Sequence, residues 1–170
     1  RMSFMFFPYP YADPDAVNTV TGENFHRFPG IHQVAKKIVS LLRDGKRIGI
    51  DSYPGADIDS LVNVIRHTLG DTKAGFTDAS NLLKAQDEIS SILSSYLPED
   101  RDLDPVLLYG RRYTEGYEGL QDAHKVESLV EMLKTQGAHL VFGLGSLARD
   151  IRDCYDVRIW MDVTPRTSVL

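Results

Sequence analysis

A single cysteine, Cys154, stands among the 170 residues, so the chain cannot close a disulfide on itself, and a reducing cytoplasm suits it. With no histidine partner evident, Cys154 reads as a small buried apolar residue rather than a nucleophile. A basic stripe is missing as well. The 19 Lys and Arg are outnumbered by 24 Asp and Glu, for a formal net charge of -5, which argues against duplex nucleic acid as a partner because that binding depends on clustered cations. No apolar run reaches membrane-spanning length: Arg1 to Pro8 is apolar, but Pro8, Pro10 and Asp13 interrupt it too early for a span or a secretory core. The histidines, His26, His32, His67, His124 and His139, have no metal-site spacing. A Gly-any-Ser-any-Gly turn and a Gly-any-Gly-any-any-Gly fingerprint are both lacking, which removes the simplest hydrolase and dehydrogenase readings.

What is present, at 42% hydrophobic and 25% charged residues, suits one globular domain with a substantial core. Residues 1–30 read as an N-terminal arm packed on the domain. Exposed, its aromatics Phe4, Phe6, Phe7, Tyr9 and Tyr11 would form a sticky patch. Residues 31–170 read as the domain itself. Helical periodicity marks Ile31 to Leu42, Asp57 to Leu69 with Gly70 as its stop, Asp78 to Leu97, and Asp122 to Gln136. Short apolar or β-branched runs at Arg47 to Asp51, Pro105 to Tyr109, His139 to Phe142 and Arg158 to Val163 predict strands. Gly143 to Ser146 is expected to turn into a short helix through Ile151. This alternation predicts an α/β fold in three layers, a mostly parallel sheet flanked by helices. Thr164-Pro165 has the form of a helix start, and a chain stopping at Leu170 suggests a domain truncated at its C-terminus.

The most informative stretch is Lys46 to Leu61, where a strand, a Gly/Pro turn and a helix follow in the order that aims backbone N–H groups at an anion. Against the pattern G-x-x-x-x-G-K-[ST], Gly49 and Gly55 stand six apart instead of five. Ala56 takes the place of the lysine and Asp57 that of the hydroxyl residue. Losing the cation and gaining a carboxylate disfavours a triphosphate. Asp57 is placed to cap the next helix, with Asp59 in its first turn, so the helix supplies its own anion. An ordinary strand-to-helix connection with a good cap explains the stretch equally well.

In an open parallel sheet, ligands bind beyond the carboxyl ends of the strands. Candidates there are Gly49, Asp51, Ser52 and Gly55 around the first strand, Arg111 and Arg112 after the second, Gly143, Gly145 and Ser146 after the third, and Asp162 at the fourth. Asp51 is the candidate base or metal ligand, and the others are candidate phosphate or ligand contacts. Each has a plainer alternative: turn glycines, solvated arginines, a capping aspartate. Arg149 and Arg152 reach the same crevice or pair with Asp150, Asp153 and Asp156 at the surface.

Three segments carry a resemblance. Ile48 to Gly55, Leu140 to Leu147 and Tyr155 to Pro165 resemble small-molecule kinases with a phosphate-binding loop, of the uridine kinase and phosphoribulokinase type. More narrowly, Gly-Ile-Asp-any-Tyr-Pro-Gly is similar to the kinase-like region preceding the cupin in long class I mannose-6-phosphate isomerases. The resemblance implies a P-loop NTPase-like fold. It makes Gly49 to Gly55 the phosphate loop, the run through Phe142 and Gly143 the second acidic-strand region, and Thr164 onward the approach to a lid. The chain departs from that pattern at Ala56, at Asp57 and after Phe142, where no carboxylate follows.

The expectation is therefore a degenerate kinase-like domain of a mannose-6-phosphate isomerase-like protein. It would act as a structural or anionic-metabolite-binding module, not catalytic by itself, with a downstream cupin domain or a second copy as possible partner. The alternative is an active nucleoside or sugar kinase with an atypical loop, in which Arg111, Arg112 or Arg149 replaces the lysine. A third reading is a nucleotide-sensing regulator using the same crevice. No cofactor is expected in this segment. Zinc would enter only with the cupin, and Mg-ATP only under the kinase alternative.

Overall fold

The computed structural model describes residues 28–97 and 111–163. Its elements are α1 (Ile31–Arg43), β1 (Arg47–Ser52), α2 (Ile58–Leu69), β2 (Gly75–Asp78), α3 (Gln86–Ser94), α4 (Ala123–Thr135), β3 (His139–Phe142) and β4 (Val157–Met161), with short 3-10 turns at Ala79–Leu82, Tyr117–Leu120 and Arg152–Cys154. The four strands form one sheet in the order β2-β3-β1-β4, and every pairing is parallel.

Side-chain alternation along β1 and β3 separates two cores. Ile48, Ile50, Leu140 and Phe142 face α1 and α2, meeting Ile38, Leu42, Leu61 and Ile65. Val141 faces the other way, into Leu129 and Leu133 of α4 together with Ile151 and Tyr155. Helices thus cover both faces of a parallel sheet, the three-layer α/β arrangement that the alternation predicts. Capping agrees with the sequence too. The Asp57 carboxylate accepts from Ser60 N at 3.1 Å and opens α2, Gly70 closes it, and Asp122 accepts from the N–H groups of His124 and Lys125 at the start of α4.

Three expectations are corrected. The long helix over Asp78–Leu97 is not formed: Asp78 ends β2, Ala79–Leu82 is a 3-10 turn, Leu83 bridges to Gln121, and only Gln86–Ser94 is α-helical. Backbone bonds from Lys84 N to Leu120 O at 3.0 Å and from Asp122 N to Leu82 O at 2.8 Å hold this stretch extended, and a tertiary pairing overrides the helical period. The short helix expected through Ile151 is a series of turns, closed by Ser146 N to Gly143 O and Ala148 N to Gly145 O. The second strand among the described residues is β2, which the sequence reading did not predict. The strand expected at Pro105–Tyr109 and the helix start at Thr164 lie outside the described residues, as does the arm up to residue 27.

Candidate functional site

The chain leaves β1 over the α1/α2 face toward β2, whereas it leaves β3 on the α4 side toward β4. Loops from the neighbouring strands β1 and β3 therefore part at their carboxyl ends, the place where an open parallel sheet leaves a crevice. Asp51 stands at that point, 6% exposed. Its Oδ1 accepts from Ser52 N at 2.8 Å and Gly145 N at 3.1 Å, and its Oδ2 accepts from Leu147 N at 2.9 Å. A cradle of backbone N–H groups is present, and an internal carboxylate fills it.

The glycines have distinct places. Gly49 lies in the middle of β1 and not in a loop: a Cβ there would come within 2.6 Å of the Tyr155 ring and 2.8 Å of Leu147. Its role is close packing, which corrects its assignment to the phosphate loop. Gly143 at φ 105° and Gly145 at φ 83° make the turn that points N–H groups at Asp51. Gly143 also faces the Asp78 carboxylate, while the Tyr117 ring lies directly on Gly145. Burial raises the Tyr117 phenol, and the charges of Asp51 and Asp78 raise it further. Gly55, at φ 90°, sits in the β1–α2 turn.

Ser52 ends β1 and is buried. Ser146 is fully buried, with no partner for its Oγ among the described residues. Its carbonyl accepts from the Tyr155 hydroxyl at 3.0 Å, and Gln121 Nε2 donates to Gly145 O at 3.1 Å. Both side chains brace the turn.

The arginines named from the sequence do not converge on Asp51. Arg111 N donates to Tyr96 O at 2.8 Å, Tyr113 packs edge-on against Tyr96, and both Arg111 and Arg112 are exposed. Arg149 offers its backbone N–H to Glu118 and holds that carboxyl below its ordinary range. Arg152 and Arg158 pair with Asp153, while Arg47 forks onto Asp156 at 3.0 Å. Asp162 is exposed and accepts from Val163 N.

A crevice of about 480 Å³ opens instead on the α2 side, at the carboxyl ends of β2 and β3. Asp59 and Asn63 reach it from α2, Asp78 from the end of β2 and Asn81 from the turn beyond. Arg66 lies over the Phe76 ring at 5.0 Å and the Phe142 ring at 5.8 Å. Two carboxylates, two carboxamides and one guanidinium offer hydrogen bonds of both polarities above an aromatic floor. Sequence reading missed Asp78, Asn81 and Arg66 because the strand that ends at Asp78 was unseen. An Asp and an Asn closing a short Phe-Thr run was the available signal.

The β1–α2 turn does not fit Mg-ATP. Ala56 N is bound to Tyr53 O and Ile58 N to Ala56 O, Ser60 N is taken by Asp57, and no lysine follows Gly55. Among the described residues no three His, Cys, Asp or Glu side chains are grouped as metal ligands, and no helix is long and apolar enough to cross a membrane. A search of curated proteins finds no match. A family model described as a domain of unknown function (DUF8485) matches residues 30–168, and the chain belongs to that family.

Proposed function

We propose that this domain is a non-catalytic binding module built on a degenerate phosphate-loop framework, and that its α2-side crevice holds a small hydroxyl-rich metabolite. The observation that carries the first part is the Asp51 carboxylate bound by three backbone N–H groups. Removing it from them would strand buried donors, at about 1–3 kcal/mol each. A triphosphate arriving there would meet a fixed negative charge instead of free N–H groups.

The second part rests on the crevice lining. Asp59 and Asp78 can accept hydrogen bonds from hydroxyl groups, Asn63 and Asn81 can both donate and accept, and the phenyl rings under Arg66 give an apolar face. Arg66 is the one cation in this lining among the described residues, so the reading narrows the anionic metabolite expected from the sequence to one with a single acidic substituent. A sugar monophosphate has that chemistry, which accords with the resemblance to the isomerase-associated region.

Calorimetric titration and thermal unfolding test both parts. Hexose 6-phosphates are expected to bind saturably, and at a hundredfold excess over Kd to add about 2.7 kcal/mol of stability. Mg-ATP is expected to give no heat and no shift. Saturable Mg-ATP binding would overturn the first part in favour of an active kinase. Loss of no hexose phosphate affinity in Asp78→Asn and Asn81→Ala would overturn the second.

A further inference from the structure

A second surface lies at the opposite end of the sheet order. Strand β4 pairs with β1 and, among the described residues, with no other strand. Tyr53 N donates to Met161 O at 2.9 Å, so Met161 turns its backbone groups toward β1. Because these groups alternate along a strand, Trp160 and its second neighbours Arg158 and Asp162 turn theirs to the open edge. The side chains divide in the same way. Val157, Ile159 and Met161 are half-buried against the α1/α2 core, whereas Arg158 and Trp160 point to the α4 face. There the Trp160 residue is 56% exposed and the Arg158 side chain 54%, and Asp162, next in the alternation, is exposed as well. An open edge that carries an uncovered indole is a template for a further strand.

We infer that two copies of this chain pair through β4, antiparallel and edge to edge, in the register that sets Trp160 opposite itself. Charge selects that register. Around Trp160, Arg158 of each copy faces Asp162 of the other, so two opposite-charge pairs flank a pair of indoles, while Ile159 faces Met161 on the other side of the sheet. An axis at Ile159 would set Asp162 against Asp156, and an axis at Arg158 would set two arginines against each other. In the Trp160 register the outward groups of Arg158, Trp160 and Asp162 meet as the hydrogen-bonded pairs of an antiparallel ladder. The tie that Arg158 makes within its own chain, to Asp153 at 3.3 Å, is exposed and easily exchanged. On the α1/α2 face, Ile159 and Met161 line an apolar groove of about 320 Å³ with Ile31, Val34 and Leu61. The two grooves come side by side across the axis, so pairing removes apolar surface on both faces of the sheet. The same patch serves both copies, which closes the assembly at a dimer.

Sedimentation of the full chain over a hundredfold concentration range tests this. A species of twice the 19.1 kDa of one chain is expected to form as concentration rises. Trp160 is the sole tryptophan and sits at the axis, so its emission should move to the blue in step with the mass. Arg158→Asp alone and Asp162→Arg alone each turn both attractive pairs into repulsive ones, and each should weaken dimerisation about tenfold or more. The double variant Arg158→Asp with Asp162→Arg swaps the charges and should restore it. A chain that stays monomeric throughout the range would overturn the inference. So would a dimer that neither single reversal weakens, or one that the swap fails to restore, since either result would put the contact elsewhere.

Discussion

Asp51 ties the end of β1 to the loop after β3, because its partners are Ser52 N in the strand and Gly145 N and Leu147 N in that loop. Asp51→Asn keeps the shape but sets an NH2 group against one of those donors, and is expected to cost about 1–3 kcal/mol in urea unfolding. Gly49 makes a parallel case. Its Ala variant drives a Cβ into Tyr155 and Leu147 from both the ring and the aliphatic side, and overpacking of this kind costs about 1–3 kcal/mol. Ligand affinity in the α2-side crevice should be unchanged in Gly49→Ala, since that crevice opens on the other face of the sheet. A phosphate-loop glycine would give the opposite pattern, loss of ligand at little loss of stability.

At the scale of elements, capping by Asp57 is the point where local sequence and structure agree best. Asp57→Ala should lower the melting temperature and Asp57→Ser should retain most of it, because a hydroxyl can also accept from the N3 amide. Thermal unfolding followed by circular dichroism checks the pair. Helices α1, α2 and α4 and strands β1, β3 and β4 were legible in the sequence, their apolar periods being long or their runs β-branched. Strand β2 was not, since Gly75-Phe-Thr-Asp78 holds one β-branched residue and shows no alternation. Its place is dictated by pairing with β3, a contact that no local window contains. The site divides the same way. Asp51 was legible as a strand-end carboxylate, but Gly145 and Leu147 are 94 and 96 residues away, so the cradle itself could be seen only in three dimensions.

Across the whole molecule, two groups of ionisable residues link stability to pH. His139 is buried at the start of β3, with Nε2 2.9 Å from Thr77 Oγ1 and Nδ1 facing Gly75 with no hydrogen-bond partner among the described residues. Burial lowers its pKa. Between that lowered value and the ordinary one near 6.5, the unfolded chain carries more protons than the folded one, so stability falls as pH drops below about 6.5. Asp156 works in a lower window. Arg47 holds its carboxyl well below the ordinary range, tying the start of β4 to the start of β1. Its contribution is complete above pH ~4 and is lost on further acidification. Glu118 and Asp122, held low by backbone N–H groups, act in the same direction. Acid unfolding should therefore proceed in two stages, one beginning just below neutrality and one below pH ~4. Urea midpoints measured across pH 3–8 are expected to lose the upper stage in His139→Gln and to keep the lower one. In Asp156→Asn the upper stage should persist while the lower shrinks, with about 1 kcal/mol lost at neutral pH, a modest figure because the pair is partly solvated. A His139→Gln profile that still declines between pH 7 and 5 would place the upper titration on another group.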